Sequence, residues 1–128
     1  MFSHVMVGSN DIDRSRKFYD ALFAAVGGKP AVQDDKGRLI YAHNGAVFMV
    51  TKPIDGQAAH HANGGTIGFA VENAEQANAW HDAGVANGGT AIEDPPGVRG
   101  VAGGRQLYLA YLRDPDGNKI CALQRIKA

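Results

Sequence analysis

Asp11-Ile12-Asp13-Arg14-Ser15-Arg16-Lys17-Phe18-Tyr19 is the stretch from which the fold can be read. Asp11 stands where a helix needs its N-cap, and Asp13 puts negative charge in the first turn, against the helix dipole. Ser15, Phe18, Tyr19, Leu22, Phe23 and Val26 then recur at helical spacing, and Gly27-Gly28 marks a stop. The spacing predicts a helix over 11–26. On its N-terminal side Val5 and Val7 alternate with His4, Met6 and Gly8, as a strand does. On its C-terminal side come a short strand from about Ala31, a turn at Asp35-Lys36-Gly37 and a strand over Arg38–His43. Asn44-Gly45 is a two-residue hairpin signal, and Ala46–Thr51 is the returning strand. The order is β, α, β, β, β.

The same order returns after a polar stretch. Thr66–Val71 reads as a strand, and Asn73 takes the N-cap with Gln76 three residues on, as in a capping box. Ala77, Trp80, Ala83 and Gly84 form the apolar stripe of a helix over 73–87, closed by Gly88-Gly89. Strands near Thr90–Glu93, Gln106–Arg113 and Lys119–Arg125 follow, the last two joined by Asp114-Pro115-Asp116-Gly117-Asn118. Matching positions keep one offset up to the helix cap and a longer one in the last hairpin: 62 for Asp11 with Asn73 and His4 with Thr66, 72 for Gly45 with Gly117 and Met49 with Cys121. Order and punctuation repeat, while residue identity hardly does. The division expected is a first module over 1–53, a linker over 54–65 and a second module over 66–128.

The paired βαβββ pattern, the acidic cap leading to Phe18-Tyr19, and the Asp-Pro-Asp-Gly-Asn turn at 114–118 together resemble the glyoxalase/bleomycin resistance/dioxygenase (vicinal oxygen chelate) superfamily. The resemblance spans essentially the whole chain. It implies an α+β fold in which two βαβββ modules pair into a curled, cleft-forming mixed sheet, with helices on the convex faces. It says little of function, because this fold hosts isomerases, ring-cleaving dioxygenases, epoxide-opening transferases and metal-free drug-sequestering proteins.

Alternation sorts the faces. Ile67, Phe69 and Val71 should face the second helix, which leaves Thr66, Gly68 and Ala70 opposite. His4, Met6, Gly8, Ala42, Met49, Lys119, Cys121 and Leu123 fall on the same concave side. Small residues there (Gly8, Ala42, Gly68, Ala70) leave room for a ligand.

The resemblance also implies a metal position. Enzymes of the superfamily hold a divalent ion through the first and last strands of each module, with a His, Glu or Gln, His, Glu pattern. Here those positions carry His4, Met49, Thr66 and Cys121. Only His4 matches, and the carboxylates that a hard divalent ion wants are gone. No cofactor is therefore expected, and a divalent metal is the minority alternative. A soft ion such as Cu(I) could use His4, Met49 and Cys121, but Met and Cys more often pack as plain hydrophobes. The candidate ligand-binding residues are His4, Met6, Met49, Thr66, Tyr108, Cys121 and Arg105, and no catalytic residue is assigned. His60-His61 in the linker read as solvated surface. Gly97–Arg105 reads as a flexible flap carrying Arg99 and Arg105 over the cleft.

The remaining classes fall away on bulk properties. Thirteen basic and thirteen acidic residues cancel, so there is no field for nucleic acid or an anionic membrane. Apolar runs are strand-sized, far short of the ~20 residues of a membrane helix. Met1-Phe2-Ser3-His4 lacks the basic head and apolar core of a signal peptide, and Cys121 is the single cysteine, so the cytoplasm is the expected compartment. The expectation is a metal-independent small-molecule binding protein, as a homodimer. The alternative is a small lyase, isomerase or dioxygenase-like enzyme with an atypical metal site.

Overall fold

A computed structural model describes residues 1–126 of the chain, so the last two positions of the expected second module lie outside the described residues. The elements run β1 (Val5–Gly8), α1 (Ile12–Ala24), β2 (Val32–Gln33), β3 (Leu39–His43), β4 (Ala46–Thr51), β5 (Ile67–Ala70), α2 (Ala74–Ala86), β6 (Thr90–Ala91), β7 (Gly97–Gly100), β8 (Gln106–Arg113) and β9 (Lys119–Ile126). They form two mixed sheets, ordered β1-β4-β3-β2 and β5-β9-β8-β6, with β7 added on β8. In each sheet the strand before the helix lies parallel to the last strand, β1 on β4 and β5 on β9. The fold is the α+β arrangement of two paired modules that the repeat implied. Among the described residues no helix is long and apolar enough to cross a membrane.

Local chemistry explains the boundaries. Asp11 and Asn73 both sit in extended conformation, and their side chains accept from the backbone N–H of Arg14 and Gln76. Gln76 reaches back to the N–H of Glu72, one residue before the cap, so the capping box closes one position early. The first helix ends at Ala24, two residues short of the expected end, because Gly28 N–H turns back to the Phe23 carbonyl with Gly27 at φ 84°. Asn44 and Gly45 take φ 49° and 81°, the left-handed pair of a tight hairpin, and fix the register Ile40–Met49 and Ala42–Val47.

One segment differs from its reading. Gly97–Gly100, expected within a flap, pairs antiparallel with β8 from Gly97–Leu109 to Gly100–Gln106. Four glycines in the run Gly97-Val98-Arg99-Gly100-Val101-Ala102-Gly103-Gly104 mask its alternation, and edge strands tolerate weak formers because one side goes unpaired. Arg99 stands opposite Leu107, on the β8 face that carries Tyr111. Its guanidinium donates to the carbonyls of Asp94 (3.0 Å) and Pro95 (2.9 Å), folding the strand's own entry loop.

The helix-facing sides of both sheets share one core: Phe18, Tyr19, Leu22, Leu39, Phe48 and Val50 from the first module, Ala77, Trp80, Ala110, Leu112, Ile120 and Ala122 from the second. Close helix packing depends on Gly84, where an added Cβ would lie 2.3 Å from Leu112 Cδ1 and 3.2 Å from Leu22 Cδ1. The modules are also joined by a polar clasp. The turn Asp114–Asn118 docks on the start of α1, where the Asp116 side chain is 1 % exposed and accepts from Arg14 Nη2 at 2.7 Å and Asn10 N–H at 2.8 Å. Ser15 Oγ donates to its other oxygen at 3.2 Å, and Tyr19 O–H donates to Asp114 at 2.6 Å.

Candidate functional site

The parallel registers build two half-sites. Met6 lies beside Met49 across β1 and β4, and Gly68 lies beside Cys121 across β5 and β9. His4 and Thr66 precede these pairs by two residues, so each shares its face and stands diagonal to Met49 or Cys121. Both half-sites are on the sheet faces turned away from α1 and α2. Met49 and Cys121 are buried at 8 % and 5 % exposure, while His4 and Thr66 are exposed and Met6 is 36 % exposed. His4 Nδ1 is within 2.8 Å of its neighbour Ser3 Oγ.

The seam between the half-sites is a cavity of about 240 Å³. Met6 and Thr66 line it from opposite modules, joined by Lys119 and by His60 and His61 of the linker. The two linker histidines were expected on solvated surface. His60 is exposed as expected and His61 is half-buried, and both border the cavity because Asn10 grips the linker at Ala59, donating to its carbonyl at 3.1 Å and accepting its N–H at 2.7 Å. That grip also changes the meaning of Gly8. A Cβ there would lie 2.9 Å from Ala59 Cβ, so the missing side chain makes room for the linker rather than for a ligand.

Cys121 has polar company that alternation alone did not reveal. Tyr111 is its cross-strand partner, Lys119 Nζ lies 5.0 Å from the Tyr111 ring centre, and Lys119 is ion-paired with Glu93. Burial raises the Cys121 thiol above its ordinary value; Lys119 opposes the shift and Glu93 adds to it. The thiol is protonated at neutral pH and lacks the electropositive setting of a nucleophile. Tyr111 is raised too, first by burial and then by Cys121 and Glu93. Tyr108 points the other way: it is three residues from Tyr111 on the same strand and donates to Asn78 Oδ1 of α2 at 2.8 Å. Arg105 is exposed beyond the short 3₁₀ turn Ala102–Gly104, where its carbonyl accepts from Val101 N–H at 2.9 Å. The structure thus joins Met6 with Thr66, aligns His4 with Met49 and Thr66 with Cys121, and leaves Tyr108 on the helix side.

The family model of the Glyoxalase/Bleomycin resistance protein/Dioxygenase superfamily matches residues 1–122. The chain belongs to that superfamily. It is similar to the crystal structure of a glyoxalase/bleomycin resistance protein from Albidiferax ferrireducens T118, at 58% identity over 98% of this chain and 99% of that one, with a TM-score of 0.93. Two further likenesses concern the fold alone. A glyoxalase-related enzyme from Fulvimarina pelagi is 19% identical over 97% and 87% of the two chains, TM-score 0.69. A lactoylglutathione lyase from Agrobacterium tumefaciens is 16% identical over 97% and 92%, TM-score 0.65. No curated protein matches the chain.

Superfamily membership raises the question of a divalent ion, and the donors answer it. The first- and last-strand positions offer one imidazole, one hydroxyl, one thioether and one protonated thiol. A hard divalent cation needs oxygen and nitrogen donors with compensating negative charge, which this set lacks. Among the described residues no three His, Cys, Asp or Glu side chains stand close enough to share an ion. The residues present do not fit the metal.

Proposed function

We propose that the protein is a small-molecule binding protein that works without a metal, holding its ligand on the concave sheet faces about the Met6–Thr66 seam. One observation carries this reading: Met6 and Thr66 from different modules line a common cavity, while the flanking positions hold Met49 and Cys121 where carboxylate ligands would be needed. Such a surface can bury an apolar body and orient it by a few polar groups, here His4, Thr66, His61 and Lys119. Met49 and Cys121, outside the cavity lining but beside Met6 and Gly68, extend the apolar surface of the same faces, with Arg105 available at the rim and Tyr108 acting from behind β8 through packing.

The faces are open in a single chain, with Phe2 81 % exposed beside the site-bearing first strand. A second copy covering them as a twofold dimer would enclose the ligand, in keeping with the commonest oligomer symmetry. The setting proposed is the cytoplasm.

The deciding experiment is a thermal-shift screen of small organic molecules on protein purified without an affinity tag, with and without EDTA. The expected result is ligand stabilisation that the chelator leaves unchanged, lost in Thr66→Val and weakened in His4→Ala without a matching loss of stability. A stoichiometric divalent metal, or stabilisation abolished by EDTA, overturns the reading.

A further inference from the structure

A second cavity, of about 300 Å³, lies on the other side of the sheets, where the C-terminal end of α1 meets the β5 edge of the second module. Gly68 and Ala70 of β5 border it and Ile67 lines both cavities, while His4, Met6, Met49, Thr66 and Cys121 are not in its lining. Its walls are aromatic: Phe23, Phe48, Phe69 and Trp80 stand in a chain with ring centres 5.7, 5.2 and 6.2 Å apart for Phe23–Phe69, Phe48–Phe69 and Phe69–Trp80. Phe69 stays only half-buried although it meets three rings. Among the described residues no charged side chain lines the space, and the Tyr41 hydroxyl is committed to Asp20 at 2.7 Å. His43 and Asn44, at the end of β3, are the polar groups left to it.

We propose that this junction cavity is a second ligand site, taking a neutral aromatic molecule of one or two rings with a hydrogen-bonding substituent toward His43. Size and charge select the class. The volume is twice the ~150 Å³ that accommodates benzene in an apolar cavity, so a substituted ring or a fused pair fits. A charged ligand would give up hydration without finding a countercharge. Aromatic walls offer edge-to-face and offset contacts that an aliphatic ligand cannot use as well. The reading does not rest on the concave site, since the two cavities share only Ile67 in their linings.

Trp80 is the only tryptophan and lines the cavity, so it reports on its contents. The probe is 4-nitroanisole, a neutral nitroaromatic quencher, with 4-nitrobenzoate as its charged counterpart. Quenching of Trp80 emission by the neutral probe should saturate at about 1 mM or below, and the carboxylate should bind at least about tenfold more weakly. Val71→Phe fills the space, and Ala46→Leu narrows its mouth at an exposed position where folding is not at stake; each should weaken the neutral probe about tenfold or more. Linear, unsaturable quenching overturns the proposal. So does saturation that survives Ala46→Leu and disappears in Met6→Ala, which would move the binding to the concave side.

Discussion

The Tyr19 hydroxyl donates to Asp114 Oδ2 at 2.6 Å, and this bond ties the first helix of one module to the last hairpin of the other. Burial and the Asp114 charge push the Tyr19 hydroxyl well above its ordinary value, so it remains a donor across the working pH range. The same carboxylate accepts from the side chain and N–H of Asn118 and from the N–H of Asp116, while Asn118 also donates to the Gly8 carbonyl at 3.0 Å. The two stretches that carry the family resemblance are therefore in contact, and their work is to clasp the modules together.

Tyr19→Phe should accordingly lower stability by about 1.5–3 kcal/mol, the usual worth of a hydrogen bond to a charged group. Asp114→Ala should cost more, about 3–5 kcal/mol, because it strands several buried donors at once. Urea unfolding of both single variants and the double variant checks this. The double variant should cost clearly less than the sum of the two, and strict additivity would show that the clasp is not a unit.

Burial raises the Asp114 carboxyl above its ordinary value, and the bonds from Tyr19, Asn118 and Asp116 only partly offset it. The native state therefore holds this proton more tightly than the unfolded chain. Its contribution to stability falls as pH rises from the ordinary carboxylate value through the raised one, and is level above. The advantage of wild type over Asp114→Asn should thus grow as pH is lowered from 7 toward 4. Melting curves across that range measure it, and an advantage that shrinks on acidification contradicts the assignment.

Gly8→Ala tests the seam. The added methyl meets Ala59 Cβ at 2.9 Å, against backbone that Asn10 holds in place. The linker must lift, at a cost of about 1–3 kcal/mol for overpacking. Limited proteolysis should cut within residues 54–65 faster than in wild type, and His61 should be displaced from the seam cavity. Unchanged cleavage would mean that the linker was never held.

Most of the framework was legible because it is written locally. Asp11 and Asn73 cap, Asn44-Gly45 turns, and strand alternation sorted Met49 and Cys121 to one side and Phe48 and Ala122 to the other. What the sequence hid depends on contacts between distant segments. Asn10 gripping Ala59 brings His60 and His61 to the seam, and no periodicity announces that. Tyr108 was placed among the pocket residues, although it is three residues from Tyr111, the cross-strand partner of Cys121, and so falls on the opposite face. The junction cavity arises from the way Phe23 of one module meets Phe69 of the other, a packing relation with no sequence signature. Gly97–Gly100 was obscured by its own glycines.

Light scattering checks the expected assembly. If a second copy covers the open concave faces, the particle mass should be twice the 13.5 kDa of the chain at micromolar concentration. Phe2→Asp, placed at an exposed residue beside the first strand, should then shift the protein toward monomer without lowering the melting temperature of the monomer itself. A wild-type protein that stays at the monomer mass leaves the cleft open and argues against enclosure.

The donor argument has a direct converse. Met49→Glu, Thr66→His and Cys121→Glu together would set beside His4 the imidazoles and carboxylates that the superfamily's metal-binding members use at these positions. Each substitution is on the concave side, two on the last strand of their module and one just before β5, so the new donors project from the faces that carry His4. Titration calorimetry with Zn²⁺ or Ni²⁺ should find stoichiometric binding in the triple variant and none in wild type. Stability should move the opposite way in the absence of metal, because Met49 and Cys121 are nearly buried and unpaired carboxylates there cost about 1–3 kcal/mol or more each, a loss that bound metal should reverse. A folded triple variant that gains no metal affinity would show that the two half-sites do not meet. Metal bound tightly by wild type would show instead that Met49, Thr66 and Cys121 were misjudged as donors.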